Sequence, residues 1–525
     1  MTNGREWFIT AAIFLVGVLS YLPALRGGFV WDDTSVTDNV LLRSPAGLWA
    51  IWFQPSLNSW EDHYWPVVYS TFWLEHALWG LEPLGYHLVN VLIHSANAVI
   101  LYQICRRLKI PGAAFAAALF AVHPVHVESV AWIIERKDVL SACFYGLAYL
   151  CYLEFDQTGD RRPYFLGLVL FLLALLSKSI VVTFPFALLL AIFWQRGSVS
   201  RQDIVRVLPY VGLSLVVSLA DFAFMRGKGG DPIGLAVTDR ILIASRAYFF
   251  YLKQIVWPYP LLAIHPRWQI TPTQFAQWLV PFAAFLSLML PAILFKRAGR
   301  GPVAAIWFFA ITVAPILGLV EFSYQRFSFV ADRYQYLASA GPIVLLAGIL
   351  VNLANRNFAA SPGIQWAGAA LFLALPGAAT WNYAMKYKDT MTLFEHTLRY
   401  NPGAWEAHNQ IGVIMAREGR LDDAMERFRK ALSVKPDYAE AHCNLGLALL
   451  SKGDAGEAEA ELRRALQLMP NYAEAQNGLG VLLAQAGRKK EAAEHFTRAL
   501  ELQPFFEEAQ ENLNLLKESL PAVRK

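Results

Sequence analysis

Four prolines, Pro402, Pro436, Pro470 and Pro504, stand 34 residues apart near the C-terminal end of the chain. Small residues recur at the same interval: Gly412, Gly446 and Gly480, then Ala424, Ala458 and Ala492, then Ala431, Ala465 and Ala499. A period of this length describes a pair of helices rather than one element. The small residues let the two helices approach closely, and the proline ends the second one. Such units stack on their neighbours, so this segment is expected to be an α-solenoid.

The interval, the small residues and the closing proline together are the tetratricopeptide signature. Three full repeats span residues 405–504, preceded by a half-repeat, TLFEHTLRYNP, and followed by an amphipathic capping helix at 505–518. The reading assigns 386–525 to this domain. Its concave groove is suited to a peptide or protein segment. A scaffold that only orients the rest of the chain is the alternative.

Residues 1–385 are of another kind. Of the 525 residues of the whole chain only 16% are charged and 56% are hydrophobic, well short of the roughly 25% charged of soluble domains. Many apolar runs approach the roughly 20 residues that cross a bilayer. We read about 11 spans, near 8–25, 85–105, 112–123, 139–155, 164–177, 181–195, 207–225, 275–295, 302–320, 336–354 and 363–380, with 241–257 ambiguous. The expected fold is therefore all-α, a polytopic membrane domain followed by a solenoid. The four cysteines, Cys105, Cys143, Cys151 and Cys443, form no CxxC pair and suggest neither a disulfide framework nor zinc.

Basic residues gather in short links: Arg106, Arg107 and Lys109; Arg161 and Arg162; Arg196, Arg201 and Arg206; Lys296, Arg297 and Arg300. By the positive-inside rule these links are cytoplasmic. The N-terminus is then cytoplasmic, and an odd number of spans places the repeats on the extracytoplasmic side of a plasma (inner) membrane. The net charge of +4 is dispersed in this way and points to no nucleic-acid partner.

On that topology four outer links hold the polar residues. The first, residues 27–84, carries Asp32 and Asp33 and then a long aromatic stretch including Tyr64, Trp65 and Pro66, expected to lie along the membrane interface. The second, HPVHVESVAWIIERKD, holds His123, His126, Glu128, Arg136 and Asp138. The third is the turn around Lys178, and the fourth holds Arg326, Asp332, Arg333, Tyr334 and Tyr336. Ionisable groups at membrane depth are candidates for function. A carboxylate among apolar walls can serve as a general base, and arginine can grip phosphate oxygens. Chemistry on a lipid-linked phosphate is the class these residues suggest. Blander readings stay open: a solvated helix end for the aspartates, zinc ligation for His123 and His126, snorkelling for Lys178, and an ion pair between Asp332 and Arg333.

The stretches FVWDDTSVTDN, LGYHLVNVLIHSANAVILY, HPVHVESVAWIIERKDVLSACFYGLAYL, LLSKSIVVTFP and ADRYQYLAS occur in this order ahead of the repeats. The ordered set resembles the transmembrane and tetratricopeptide repeat-containing O-mannosyltransferases and their bacterial relatives, over nearly the whole chain. The resemblance implies a GT-C glycosyltransferase fold and a sugar donor carried on polyprenyl phosphate. It implies a protein hydroxyl as acceptor, recruited by the repeats, and transfer with inversion at the extracytoplasmic face. Asp32 and Asp33 match the acidic pair of the first outer loop, one of them being the base. Arg333, Lys178, Arg136 and Tyr334 would hold the donor phosphate, and His123, His126, Glu128, Asp138 and Asp332 would support them. A divalent metal at the carboxylates is left open. The chain departs from the family pattern at Trp65, where arginine is expected, at Asp332, where glutamate is usual, and at Ala338, where proline is usual. The alternatives are a lipid or polysaccharide acceptor, or a non-catalytic membrane scaffold.

Overall fold

The computed structural model describes residues 2–58, 61, 63–227, 234–357 and 362–518. Residues 59, 60 and 62 of the aromatic first link, and 519–525 of the repeat domain, lie outside the described residues. Among those described the chain is all helix and loop, with no strand. It divides into two units, Met1–Thr392 and Leu393–Lys525.

In the first unit, four helices are long and apolar enough to cross a membrane: Pro83–Arg107, Ser179–Arg196, Arg201–Met225 and Phe275–Ile293. A fifth follows if Ala113–Ala121 and Pro124–Ala131, bent by 49°, form one broken span. The expectation of 11 spans is thus matched by 4 or 5 such helices among the described residues. The difference has a physical cause. The helix Arg136–Thr158 carries Arg136, Lys137, Asp138, Glu154 and Asp156 near its ends, and Arg161–Leu175 has only 15 residues. Arg300–Ile316 and Ala340–Arg356 are apolar but also short. Phe275–Ile293 buries none of its residues and exposes Phe275, Phe282 and Ile293, as expected of a helix with a face toward lipid.

Polar connections between these helices are folded inward rather than left at the surface. Trp31–Asp33 and Thr34–Thr37 form two short turns after the helix Thr2–Ser20. Pro124–His126, Val127–Ala131 and Ile133–Glu135 form three more ahead of Arg136–Thr158. Pro124 and the run of turns end the apolar helix, leaving unpaired backbone groups that side chains must satisfy. That requirement brings the polar links together.

The second unit shows the expected helix pairs: Trp405–Arg417 with Leu421–Val434, Ala439–Lys452 with Ala455–Leu468, and Ala473–Gln485 with Lys489–Leu502. Glu507–Glu518 closes the stack. The glycine period is explained by close approach. A Cβ added at Gly412 would stand 2.6 Å from the Phe428 ring, and one at Gly480 would stand 2.6 Å from the Phe496 ring. Asparagines link the repeats, Asn444 to Asn409 and Asn512 to Asn477, each at 3.0 Å.

Candidate active site

The four links read from the sequence as lying on one face meet around the Trp31–Asp33 turn. Trp31 has a left-handed backbone, φ 45°. This is costly for a bulky residue and is held here by its surroundings. Its ring stacks on Trp132 at 5.2 Å and meets Phe327 at 6.0 Å. Its N–H donates to Thr390 Oγ1 at 3.1 Å. The clamp fixes how the next two residues point.

The two aspartates are not equivalent. Asp33 is sealed from solvent, and its carboxylate accepts from Val30 N–H at 2.7 Å and from Ile134 N–H at 2.8 Å. It therefore ties the first link to the second. Burial pushes its pKa up to about 8, outweighing those two donors. Asp32 remains exposed to solvent, and among the described residues no hydrogen bond or ion pair reaches its carboxylate. Protein still crowds it, and desolvation raises its pKa to about 6 against the pull of Lys137 and Arg333.

Beside Asp32 lies a cluster of charges organised by Glu135, which is nearly buried. Arg333 Nε is 3.1 Å from its Oε1, Lys137 Nζ is 3.5 Å from the same oxygen, and Lys178 Nζ is 3.6 Å from Oε2. Burial raises the Glu135 pKa, but Lys137, Arg333 and Lys178 overcome it and pull it down to about 2. Arg333 also donates from Nη1 to Glu128 at 2.6 Å, and its backbone N–H to the same carboxylate at 2.8 Å. Lys178 Nζ donates to Asp138 at 2.6 Å, and Asp138 in turn accepts from Ser129 Oγ at 3.1 Å. Three cations (Lys137, Lys178, Arg333) thus balance three carboxylates (Glu128, Glu135, Asp138), as buried charges must. Aromatic rings wall the cluster. Tyr324, Tyr334 and Trp132 stand 4.3, 4.9 and 5.2 Å from the Arg333 guanidinium, and Lys178 lies 5.7 Å from the Tyr334 ring.

Glu128, Asp138, Lys178, Arg333 and Tyr334 are brought together, near Asp32. Lys178 does not snorkel; it is buried in an ion pair. Other expected residues are employed elsewhere. Arg136, expected at the donor phosphate, is fully buried and engaged by Asn90, Glu75, Thr71 and the Tyr86 carbonyl, with the Phe72 ring 5.0 Å away. It braces three helices, its own, Pro66–Trp79 and Pro83–Arg107, through these partners. Asp332 does not pair with Arg333: its Oδ2 accepts from Leu262 N–H at 2.9 Å and lies 3.1 Å from His265. His123 Nε2 donates to the Ile255 carbonyl at 2.9 Å. His126 donates from Nδ1 to the Phe120 carbonyl at 2.9 Å and places Nε2 2.8 Å from the Ser339 hydroxyl. Zinc ligation by this histidine pair is thereby set aside. No group of three or more potential ligands stands ready to hold a metal among the described residues.

Sequence reasoning passed over Glu135 and Lys137, although both stand in the same ERKD stretch as Arg136 and Asp138. The signal was helical phase. Successive residues point about 100° apart, so Arg136 and Lys137 diverge, while Glu135 and Asp138, three apart, share a face. Trp65 replaces the expected arginine and is packed between Lys137, 4.9 Å from its ring, and His63, stacked at 4.6 Å. Asp221 fixes His63 at 3.0 Å and accepts from Ser179 at 2.7 Å.

Comparison with known proteins bears on this arrangement. The family described as dolichyl-phosphate-mannose-protein mannosyltransferase matches residues 62–223, a stretch holding Glu135, Lys137 and Lys178 but not Asp32 or Arg333. Tetratricopeptide families match 412–453 and 443–505. A protein O-mannosyl-transferase of Caenorhabditis elegans is 26% identical over 457 residues, 80% of this chain and 62% of that protein. One from Homo sapiens is 24% identical over 470 residues, 78% of this chain and 50% of that protein. The chain therefore spans less than two thirds of the length of these relatives. Among solved structures, a tetratricopeptide domain from Arabidopsis shares 23% identity with a TM-score of 0.22, covering 22% of this chain and 97% of that one. The chain is an all-α protein with several membrane-length helices and tetratricopeptide repeats, related at moderate identity to the protein O-mannosyltransferases.

Proposed function

We propose that the chain is a GT-C-type membrane glycosyltransferase. It moves a sugar from a polyprenyl-phosphate donor to a hydroxyl of a protein held by the repeats, at the extracytoplasmic face. The observation that carries this reading is Asp32: a solvent-accessible carboxylate without a hydrogen-bond partner among the described residues, raised in pKa, beside a preassembled cluster of three cations and three carboxylates. Asp32 accepts the proton of the acceptor hydroxyl. The hydroxyl oxygen forms its bond to the anomeric carbon as the carbon–oxygen bond to phosphate breaks, and the electron pair leaves with polyprenyl phosphate. A single displacement inverts the anomeric centre.

The donor phosphate lies with Lys137, Lys178 and Arg333. Each is already aligned by Glu135, so little reorganisation is needed as negative charge develops on the leaving group. Lys137 is the most adaptable, since among the described residues its nitrogen makes a 3.5 Å contact to Glu135 and faces the Trp65 ring, with no closer ion pair. Tyr334 supplies a wall that excludes water. Asp33 holds the loop and takes no part in the transfer.

The test is transfer by purified full-length protein from radiolabelled polyprenyl-phosphate sugars to a cell-envelope protein extract, beside Asp32→Asn. Label on protein with the unaltered chain alone is expected. Equal label in both would remove Asp32 from the reaction. Absence of label with every donor would favour a scaffold.

A further inference from the structure

A second site lies within the same unit but is built from other residues. An apolar cavity of about 560 Å³ is walled by Ile104, Tyr145, Ala191, Phe308 and Val344. Its size is that of a ligand pocket. Its lining is too apolar to hold water well, and an empty cavity of this size would forfeit the dispersion contacts of its walls. A hydrocarbon chain suits it.

Part of the cavity's lining is different in character. There Leu108, Ile110, Trp194, Gly299 and Arg300 come together, and Trp194 Nε1 donates to the Leu108 carbonyl at 2.9 Å. These residues belong to three of the basic links read from the sequence. Within those links some cations are neutralised: Arg106 by Glu6, Arg107 by Glu154, and Arg196 by Asp156 and Asp203. Lys109, Lys296, Arg297 and Arg300 have no carboxylate partner among the described residues. Arg300 is half-buried and donates from Nη1 to the Trp194 carbonyl at 3.0 Å. Gly197, with φ +79°, makes room for it, since a Cβ there would come within 3.1 Å of the guanidinium. A partly buried guanidinium without a carboxylate partner among the described residues, in the lining of a hydrocarbon-sized cavity and in a link with the unpaired Lys296 and Arg297, is a site for a phosphate carrying an apolar chain.

We propose that this cavity holds one chain of an anionic glycerophospholipid whose phosphate rests on Arg300. The site uses none of the charged residues of the proposed transfer centre, so its occupancy is separate from the sugar chemistry. The phospholipid wedges between helices including Pro83–Arg107, Arg136–Thr158 and Arg300–Val313 and keeps them apart at a fixed spacing.

The test is native mass spectrometry of the full-length protein in mild detergent. It is titrated in turn with palmitoyl-oleoyl phosphatidylglycerol, the matching phosphatidylcholine and undecaprenyl phosphate. A phosphatidylglycerol adduct stronger than that of phosphatidylcholine is expected, weakened about tenfold or more by Arg300→Gln. Lys296→Gln with Arg297→Gln changes only exposed residues, so it preserves folding. It should weaken the adduct severalfold, as loss of two charges near the headgroup requires. Equal binding of the two phospholipids, or phosphatidylglycerol binding indifferent to both sets of variants, would overturn the proposal. So would retention of undecaprenyl phosphate alone, lost on Lys178→Gln but not on Arg300→Gln; the cavity would then belong to the donor's tail.

Discussion

Substituting the two adjacent aspartates one at a time should separate stability from activity. Asp33 accepts two buried backbone N–H groups, from Val30 and Ile134. Asp33→Ala leaves both donors without a partner, at about 1–3 kcal/mol each, so roughly 2–6 kcal/mol of stability should be lost. Asp33→Asn keeps one acceptor oxygen but turns its NH₂ toward the other donor, and should cost about half as much. Asp32 makes neither contact, and a neutral side chain escapes the desolvation that raises its carboxyl pKa, so Asp32→Asn should melt no earlier than the unaltered protein. Its transfer rate should fall by about 10²–10⁴, the usual contribution of a general base. The assay pairs a thermal melt by intrinsic fluorescence, at one fixed scan rate in detergent, with initial rates of label transfer. The reasoning fails if Asp32→Asn melts as early as Asp33→Ala, or if Asp33→Ala melts with the unaltered protein.

Four other outcomes follow from the structure. Asp32 works only when ionised, and its pKa is raised to about 6, so kcat/KM should drop about tenfold per pH unit below that value; a flat profile from pH 5 to 7 would dismiss it as the base. Asp33 is a carboxyl raised from 3.8 to about 8, so its contribution to stability is whole below the lower value and is lost as pH rises through the upper one. Melts of Asp33→Asn should accordingly depend less on pH than those of the unaltered chain. Arg136→Ala leaves Glu75 buried and unpaired and should destabilise by roughly 3–5 kcal/mol; restoring stability with Arg136→Met and Glu75→Leu together would confirm a brace, whereas an unchanged melt of the single variant would refute it. In the repeats, Gly412→Val drives a side chain into Phe428 and should cost about 1–3 kcal/mol, read as an earlier melt of the full chain; a later melt would show that the helix pair had slack.

Some of this is legible in the chain alone. The 34-residue period specified the helix pairs, because each repeat can pack only if its small residues fall at the contact, as Gly412 against Phe428 shows. The apolar excess specified a membrane-embedded helical unit, since a bilayer leaves backbone groups no partner outside a helix. The number of long apolar helices was less legible. A helix such as Arg136–Thr158 spends several residues at its ends on charge, and hydropathy alone does not show where those ends fold inward.

Residue types and loops of the candidate site could be read from the chain, but not the division of labour within them. Asp32 and Asp33 are neighbours with the same chemistry. Only the left-handed turn at Trp31, clamped by Trp132 and Phe327, sends one to solvent and the other onto backbone donors. Arg136 and Lys137 are likewise adjacent cations. Helical phase places the first among Asn90, Glu75 and Tyr86 and the second over Trp65 beside Glu135. Sequence determines periodicity and composition, which act locally and repeat along the chain. Which charge meets which depends on contacts between residues as far apart as Glu128 and Arg333. Only the closed tertiary structure, which must pair every charge it buries, decides them.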